Sequence, residues 1–206
     1  MKAVIAAAAL ALSLTACSGE TVPSPDPGSA GPSQSGAATV AGVPAAVQRP
    51  GLATAIGSRF IPFSTCKAVE VKEDEDWSVS KCEAPAGFTV FLDYGDARDD
   101  LRLKPRGGKE VSLGMSNAGG GGFNTLGPTF EWRGRGAGAA FVPHALIVRN
   151  AVSDDPEHSE RQTSMRAVID LTRLCIAALV RPGPDQNERA RAIADGGRQD
   201  CLTRGD

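Results

Sequence analysis

The chain has 206 residues, with 22 Lys and Arg against 24 Asp and Glu and a formal net charge of −2. That near balance excludes the basic footprint that a nucleic-acid-binding protein needs. The length suits one domain of ordinary size with its own core, and with 24 glycines and only 5 % aromatic residues that core must rest on Val, Leu, Ile, Ala and Phe between glycine-containing loops.

The first element is a short apolar N-terminus. Lys2 supplies a positive charge, and residues 3 to 16 are almost wholly apolar or small, the pattern of a secretory signal. The stretch is too short to cross a ~30 Å hydrocarbon core as a helix. It ends in Leu14-Thr15-Ala16-Cys17, which resembles the lipobox of bacterial lipoproteins: an aliphatic residue, two small ones, then cysteine. The resemblance implies that residues 1 to 16 are a signal peptide removed on export. It further implies that Cys17 becomes the first residue of the mature protein, with a diacylglyceryl group on its thiol and an acyl chain such as palmitate on its amine. The first partner expected is therefore a lipid bilayer, because two or three acyl chains anchor stably where one binds only reversibly. Ser18 lacks the aspartate associated with inner-membrane retention, so the expected location is the cell envelope, on the periplasmic side of the outer membrane.

Residues 17 to 58 read as a linker rich in Ser, Pro, Gly and Ala. Pro23, Pro25, Pro27 and Pro32 forbid a continuous helix, and few large apolar groups offset the entropy of ordering. Order can begin within residues 52 to 57, and a single globular body is expected over 59–206. Four cysteines lie in it: Cys66, Cys82, Cys175 and Cys201. An even number in an exported body predicts two disulfides. Of the three pairings, sequence order favours Cys66–Cys82 and Cys175–Cys201, since each then takes its nearest available partner. A zinc site fails on spacing, because no CxxC occurs and neither histidine lies near a cysteine.

The body opens with Arg59 to Pro62 and then a strand near residues 65–72. The acidic run Glu73-Asp74-Glu75-Asp76 turns the chain, because adjacent like charges want solvent, and a second strand follows over 77–83. The pair reads as a hairpin clamped by Cys66–Cys82. Phe88, Val90 and Leu92 alternate with Thr89, Phe91 and Asp93 in a third strand, and Leu101 and Leu103 alternate with Arg102 and Lys104 in a fourth. Residues 114–128 form a glycine-rich loop. Phe130 and Trp132 then alternate with Glu131 and Arg133. Residues 139–152 are apolar and β-branched and suit an inner strand, with Pro143 at its start or at a bulge. After a polar loop, residues 165–174 and 175–180 form the last hairpin. Beyond Pro182-Gly183-Pro184 the period changes to that of a helix, with Asp185 and Glu188 as a capping box. Ala190, Ile193 and Ala194 face inward, and Arg191, Asp195 and Arg198 lie elsewhere. The fold class is therefore α+β: a mostly antiparallel β-sheet with a C-terminal helix and two disulfides.

No catalytic constellation stands out. The nucleophile elbow GxSxG is absent, as is HExxH. Gly119 to Gly122 is no phosphate-binding loop, because the Gly-Lys-Ser or Gly-Lys-Thr that would follow is missing. His144 reads as a structural hydrogen-bonding group and His158 as a surface residue. No metal and no cofactor is expected. Glu73, Asp74, Glu75 and Asp76 are candidates for contact with a cationic partner, but they lack the alternation and distal glutamate of a calcium loop. Asp96, Asp99 and Asp100 form a second acidic patch, able to support a glycoside-type carboxylate pair with Glu110 or Glu131 only at about 5–9.5 Å. Trp132 is either a ligand platform for a partner or part of the core.

Cys82, Phe88-Thr89-Val90-Phe91, Asn124-Thr125-Leu126-Gly127, Glu131-Trp132-Arg133 and a helix before Cys201 together resemble a group of uncharacterised envelope proteins of alphaproteobacteria, over most of residues 60 to 203. The resemblance implies an envelope location and supplies no catalytic residue. The expected function is a non-enzymatic binding or structural role at the envelope. In broad construction the body is similar to small periplasmic inhibitors of lysozyme. The rival expectation is a hydrolase directed at the wall or a glycan, which requires a concave pocket holding paired carboxylates or His144 beside an acid.

Overall fold

The computed structural model describes residues 55–202 except 119, 121, 154, 156, 198 and 199. The expected signal peptide at 1–16, the expected acylation site Cys17 and the expected linker as far as residue 54 lie outside the described residues. Strand β1 (Ile56–Pro62) leads through a 3-10 turn to β2 (Lys67–Lys72), β3 (Trp77–Cys82), β4 (Thr89–Gly95) and β5 (Arg98–Lys104). The two-residue β6 (Val111–Ser112) and short β7 (Asn124–Leu126) precede β8 (Thr129–Arg135), the long β9 (Val142–Ser153), β10 (Gln162–Asp170), β11 (Cys175–Val180) and the helix α1 (Gln186–Asp195).

All pairings are antiparallel except a parallel bridge between Arg98 of β5 and Asn124 of β7. β9 is the hub. β10 runs along one side of it, from Gln162 opposite Ser153 to Asp170 opposite Ala145. Its other side is shared, β8 taking the first half and β7 the second. The sheet forks there into a short branch, β8 and β1, and a long branch, β7, β5, β4, β3 and β2. β1 and β2 therefore stand at opposite ends of the strand order, yet only residues 63–66 separate them. Four residues span at most about 14 Å, so the sheet must curl until its two ends nearly meet. The Phe63 amide extends the β1–β8 ladder by one step, donating to Pro128 O at 2.8 Å.

The concave face holds the main core, where Val90, Leu101, Leu103, Met115, Phe130, Trp132 and Leu146 are fully buried. α1 covers the convex face of β8 to β11, and Ala145, Ile147, Val168, Val180, Ala190 and Ala194 form a second cluster beneath it. β9 and β10 are thus buried on both faces, which is why residues 145–148 and 167–169 are apolar without interruption.

Both disulfides form as expected, Cys66–Cys82 and Cys175–Cys201. The acidic run is a 3-10 turn closed by Asp76 at φ 47°, a left-handed position that Asp tolerates better than most residues. Pro143 sits opposite Gly134 where the β8–β9 register shifts. Gly134 is required there, since a Cβ would lie 2.5 Å from Val142 O and 2.7 Å from the Phe141 ring.

Three expectations need correction. The stretch 114–128 is not all loop: Met115 is a core residue and residues 124–126 form β7. What orders it is a buried amide pair. Asn124 Nδ2 donates to Asn150 Oδ1 at 3.0 Å, and Asn150 Nδ2 donates to Met115 O (3.0 Å) and Ala118 O (3.3 Å). The capping box does not form. Asp185 is left-handed at φ 57° and its side chain makes no cap, whereas a capping side chain requires an extended backbone. Gln186 holds the helix start instead, donating to Ser164 O (2.8 Å) and Val180 O (2.9 Å). Lastly, Arg191 and Asp195 face the sheet, where they meet the charged residues of β8.

Candidate functional site

The charged face of β8 becomes chemistry only because α1 lies over it. Glu131 and Arg133 alternate with Phe130 and Trp132, so one pair points into the curl and the other toward the helix. Both charged residues are nearly buried. Ser58 Oγ donates to Glu131 Oε1 at 2.5 Å, and Arg191 Nε donates to the same oxygen at 2.6 Å. Arg133 Nη1 donates to Ser58 Oγ at 2.6 Å, while its Nε (3.1 Å) and Nη2 grip the two oxygens of Asp195. His144 Nε2 joins Asp195 Oδ1 at 3.1 Å. An ionised carboxylate can only accept, so Nε2 carries the proton there.

Burial alone would raise the Asp195 carboxyl, but hydrogen bonds from Arg133 and His144 outweigh it and hold the group below the ordinary carboxylate range. A depressed carboxylate contributes stability above its unfolded pKa and loses it as pH falls through the folded one. The melting temperature of the wild type is therefore expected to fall more steeply below about pH 4 than that of Asp195→Asn, with a residual slope from Asp170, which Thr172 and Arg173 also hold low against the cost of burial. Parallel slopes in thermal melts across that range would show that the clasp contributes nothing.

Beside this clasp, the C-terminal half of α1 and the ends of β8 to β11 enclose a cleft of about 530 Å³. Ile56, Ala145, Ala177, Ile193 and Ala194 give it apolar walls, and Arg135, His144, Asp170, Thr172, Arg173 and Asp195 are its polar lining. Arg173 Nε donates to Asp170 Oδ2 at 3.0 Å, while its Nη2 is buried without an acceptor among the described residues. His144 beside an acid in a concave pocket is the arrangement the hydrolase expectation requires. Among the described residues Thr172 is the one side-chain hydroxyl lining the cleft. Asp195 is committed to Arg133, and Asp170 to Thr172 N, Arg173 N and Arg173 Nε.

A second concave surface of about 510 Å³ lies at the turn end of β3 to β5, lined by Lys72, Glu75, Trp77, Tyr94 and the aspartates 93, 96, 99 and 100. The two acidic patches, twenty residues apart in sequence, meet here because β3 pairs with β4 in the register Trp77 to Gly95. Tyr94 Oη donates to Asp76 Oδ2 at 3.3 Å. Glu73, Asp74, Glu75 and Asp76 are all exposed. Lys72 stands 5.1 Å over the Trp77 ring.

The carboxylates proposed as a glycoside pair are each occupied. Asp100 Oδ1 accepts from Leu101 N and Met115 N, and its Oδ2 from Ser112 Oγ. Glu110 pairs with Arg102, and Glu131 lies under the helix. Burial pushes the Asp99 carboxyl up, partly opposed by the Leu126 amide that donates to it at 2.7 Å. Trp132, the other candidate contact, is fully buried with its ring 5.7 Å from that of Phe88. It offers no surface to a partner and belongs to the core. His158 pairs locally with Asp155 at 2.9 Å. Among the described residues no group of three or more His, Cys, Asp or Glu side chains is placed to hold a metal ion.

Sequence reasoning missed Asp195, Arg133 and Arg173. The available signal was the pair Glu131 and Arg133 recurring as Arg191 and Asp195 with opposite charge order. No known protein family, curated protein or solved structure matches this chain.

Proposed function

We propose that this chain is an exported lipoprotein of the cell envelope, anchored through acylated Cys17 on the periplasmic side of the outer membrane, whose body binds a cationic envelope protein such as lysozyme. The observation that supports the binding role is the convergence of the two acidic patches on one end of the sheet, with Glu73, Asp74, Glu75 and Asp76 exposed and Tyr94 beside them. Opposed charge steers encounter and gives salt-sensitive association, and a partly exposed aromatic is the usual anchor of such a patch.

Purified full chain at micromolar concentration is expected to slow lysozyme, and the triple reversal Glu73→Lys, Asp74→Lys, Glu75→Lys is expected to weaken that effect about tenfold or more through loss of steering and contact. An unchanged lysozyme rate with the wild-type chain removes the lysozyme version. The second reading, a wall- or glycan-directed hydrolase, is favoured by His144 beside Asp195 in the cleft. Release of wall fragments by the chain alone, abolished by His144→Ala, would put that reading first.

A further inference from the structure

We propose that the convex face of β9 and β10, beside the first turn of α1, binds a phosphate monoester group through Arg149, Arg166 and Ser164. None of these residues lines the acidic end of the sheet, so the site stands or falls separately from the partner proposed above.

The strand register creates the site. It sets Arg166 directly opposite Arg149, on the face where Val168 lies opposite Ile147. Val168 and Ile147 belong to the cluster under α1, so the two arginines continue that face. Like charges directly opposed across a sheet repel. Neither arginine has a carboxylate partner among the described residues: Arg149 Nη1 donates to Ser164 Oγ at 2.7 Å, and Arg166 Nε to Asn187 Oδ1 at 2.9 Å. Glu131 acts on Arg166 but already accepts from Arg191 and Ser58. Exposed Glu188 acts on Arg191. Burial, and then the neighbouring Arg149, hold the Arg166 guanidinium below its usual pKa, with Glu131 opposing and Arg191 adding. Two positive charges are thus held together without compensation.

The free groups select the ligand. Each guanidinium is fixed by one hydrogen bond, and a Cβ at Gly127 would lie 2.7 Å from Arg149 Cβ, so glycine there leaves room for the stem. Arg149 Nη2 and Arg166 Nη1 and Nη2 have no acceptor among the described residues, yet none is a buried atom, and both side chains are partly exposed. Ser164 Oγ accepts from Arg149, which leaves its own proton to donate. Every free group is therefore a donor, and guanidinium forks match phosphate oxygens. A phosphate monoester brings about −1.5 to −2 charges near neutral pH and three acceptor oxygens, which suits two unpaired cations and a hydroxyl. A carboxylate brings one charge and two oxygens.

The test is calorimetric titration of the full chain carrying Cys17→Ser, so that no acyl chain engages lipid. Glycerol 3-phosphate is expected to bind saturably and about tenfold more tightly than acetate at matched ionic strength. Arg149→Gln and Arg166→Gln should each weaken it about tenfold without lowering the melting temperature of the ligand-free chain, since repulsion is relieved. A purely structural pair would lower the melting temperature and leave the affinity unchanged. Sedimentation with phosphatidate vesicles against phosphatidylcholine vesicles separates the sources. Preferential capture by phosphatidate, lost in Arg166→Gln, assigns the group to a lipid headgroup, and its absence beside saturable glycerol 3-phosphate binding assigns it to a soluble ester. No saturable heat with glycerol 3-phosphate, an equal affinity for acetate, or an affinity unchanged in both variants overturns the proposal. If the variants fail to fold, the side-chain Nε resonances of Arg149 and Arg166 in the unsubstituted site decide: shifts confined to other residues overturn it.

Discussion

Replacing Trp132 with alanine is expected to destabilise the body by about 3–5 kcal/mol, the range for removing a large aromatic from a core. The residue is fully buried and lies opposite Arg59 on one neighbour and Leu146 on the other. Its ring meets Phe88, which precedes β4 on the long branch, while Phe63 and Phe130 pack 4.2 Å apart nearby. Trp132 therefore ties the two branches of the forked sheet together from inside the curl, and its loss leaves a void that a sheet held on both sides cannot readily collapse into. Trp132→Phe is expected to cost much less. The indole Nε1 is buried without a hydrogen-bond partner among the described residues, so phenylalanine removes an unsatisfied donor along with the second ring. Urea unfolding followed by far-ultraviolet circular dichroism measures both, and similar midpoints for the two variants would show that the ring position is not a keystone.

Opening the Cys175–Cys201 bridge by paired substitution to serine is expected to cost about 3–4 kcal/mol, by the loop-entropy relation for a separation of 26 residues. The bridge encloses all of α1 and returns the chain to β11, where the Leu202 amide donates to Ile176 O at 2.8 Å. Without it, α1 remains attached through the Arg133–Asp195 clasp and Gln186, while the segment after the helix loses its fixed end. Hydrogen exchange should rise first at Leu202 and along the last turn of α1. The Cys66–Cys82 bridge spans 16 residues and closes strands that already pair from Lys67 opposite Lys81 to Lys72 opposite Trp77. Its paired substitution should cost less. Equal losses would mean that the hairpin is not formed independently of its sulfurs.

The parts of this fold that could be read from the residues are those in which one face is buried and the other wet. Leu101 and Leu103 alternate with Asp100, Arg102 and Lys104, and both lie in the core. The nearest-neighbour disulfides follow from hairpin and helix-return geometry for the same local reason. The site is less legible because it depends on two elements meeting. Alternation places Glu131 and Arg133 opposite Trp132, but nothing local says that a helix sixty residues later will cover them. Helical periodicity put Asp195 off the apolar side for the same reason, since its burial is provided by Arg133 and His144 rather than by a hydrophobic surface. The placement of Met115 and β7 is hidden in two asparagines, Asn124 and Asn150, whose amides match only after β7 and β9 are side by side.

The pairing of β1 with β8 also bears on how the chain reaches this state. Ser58 and Glu131 are 73 positions apart. A polypeptide emerging from its N-terminus delivers β1 long before β8 exists, whereas β2 to β5 can close as successive local hairpins. Folding that waits on such distant pairing is slow and leaves strand edges unoccupied in the interval. Ile61, buried in the finished sheet, then stands uncovered in the nascent chain until the curl shuts.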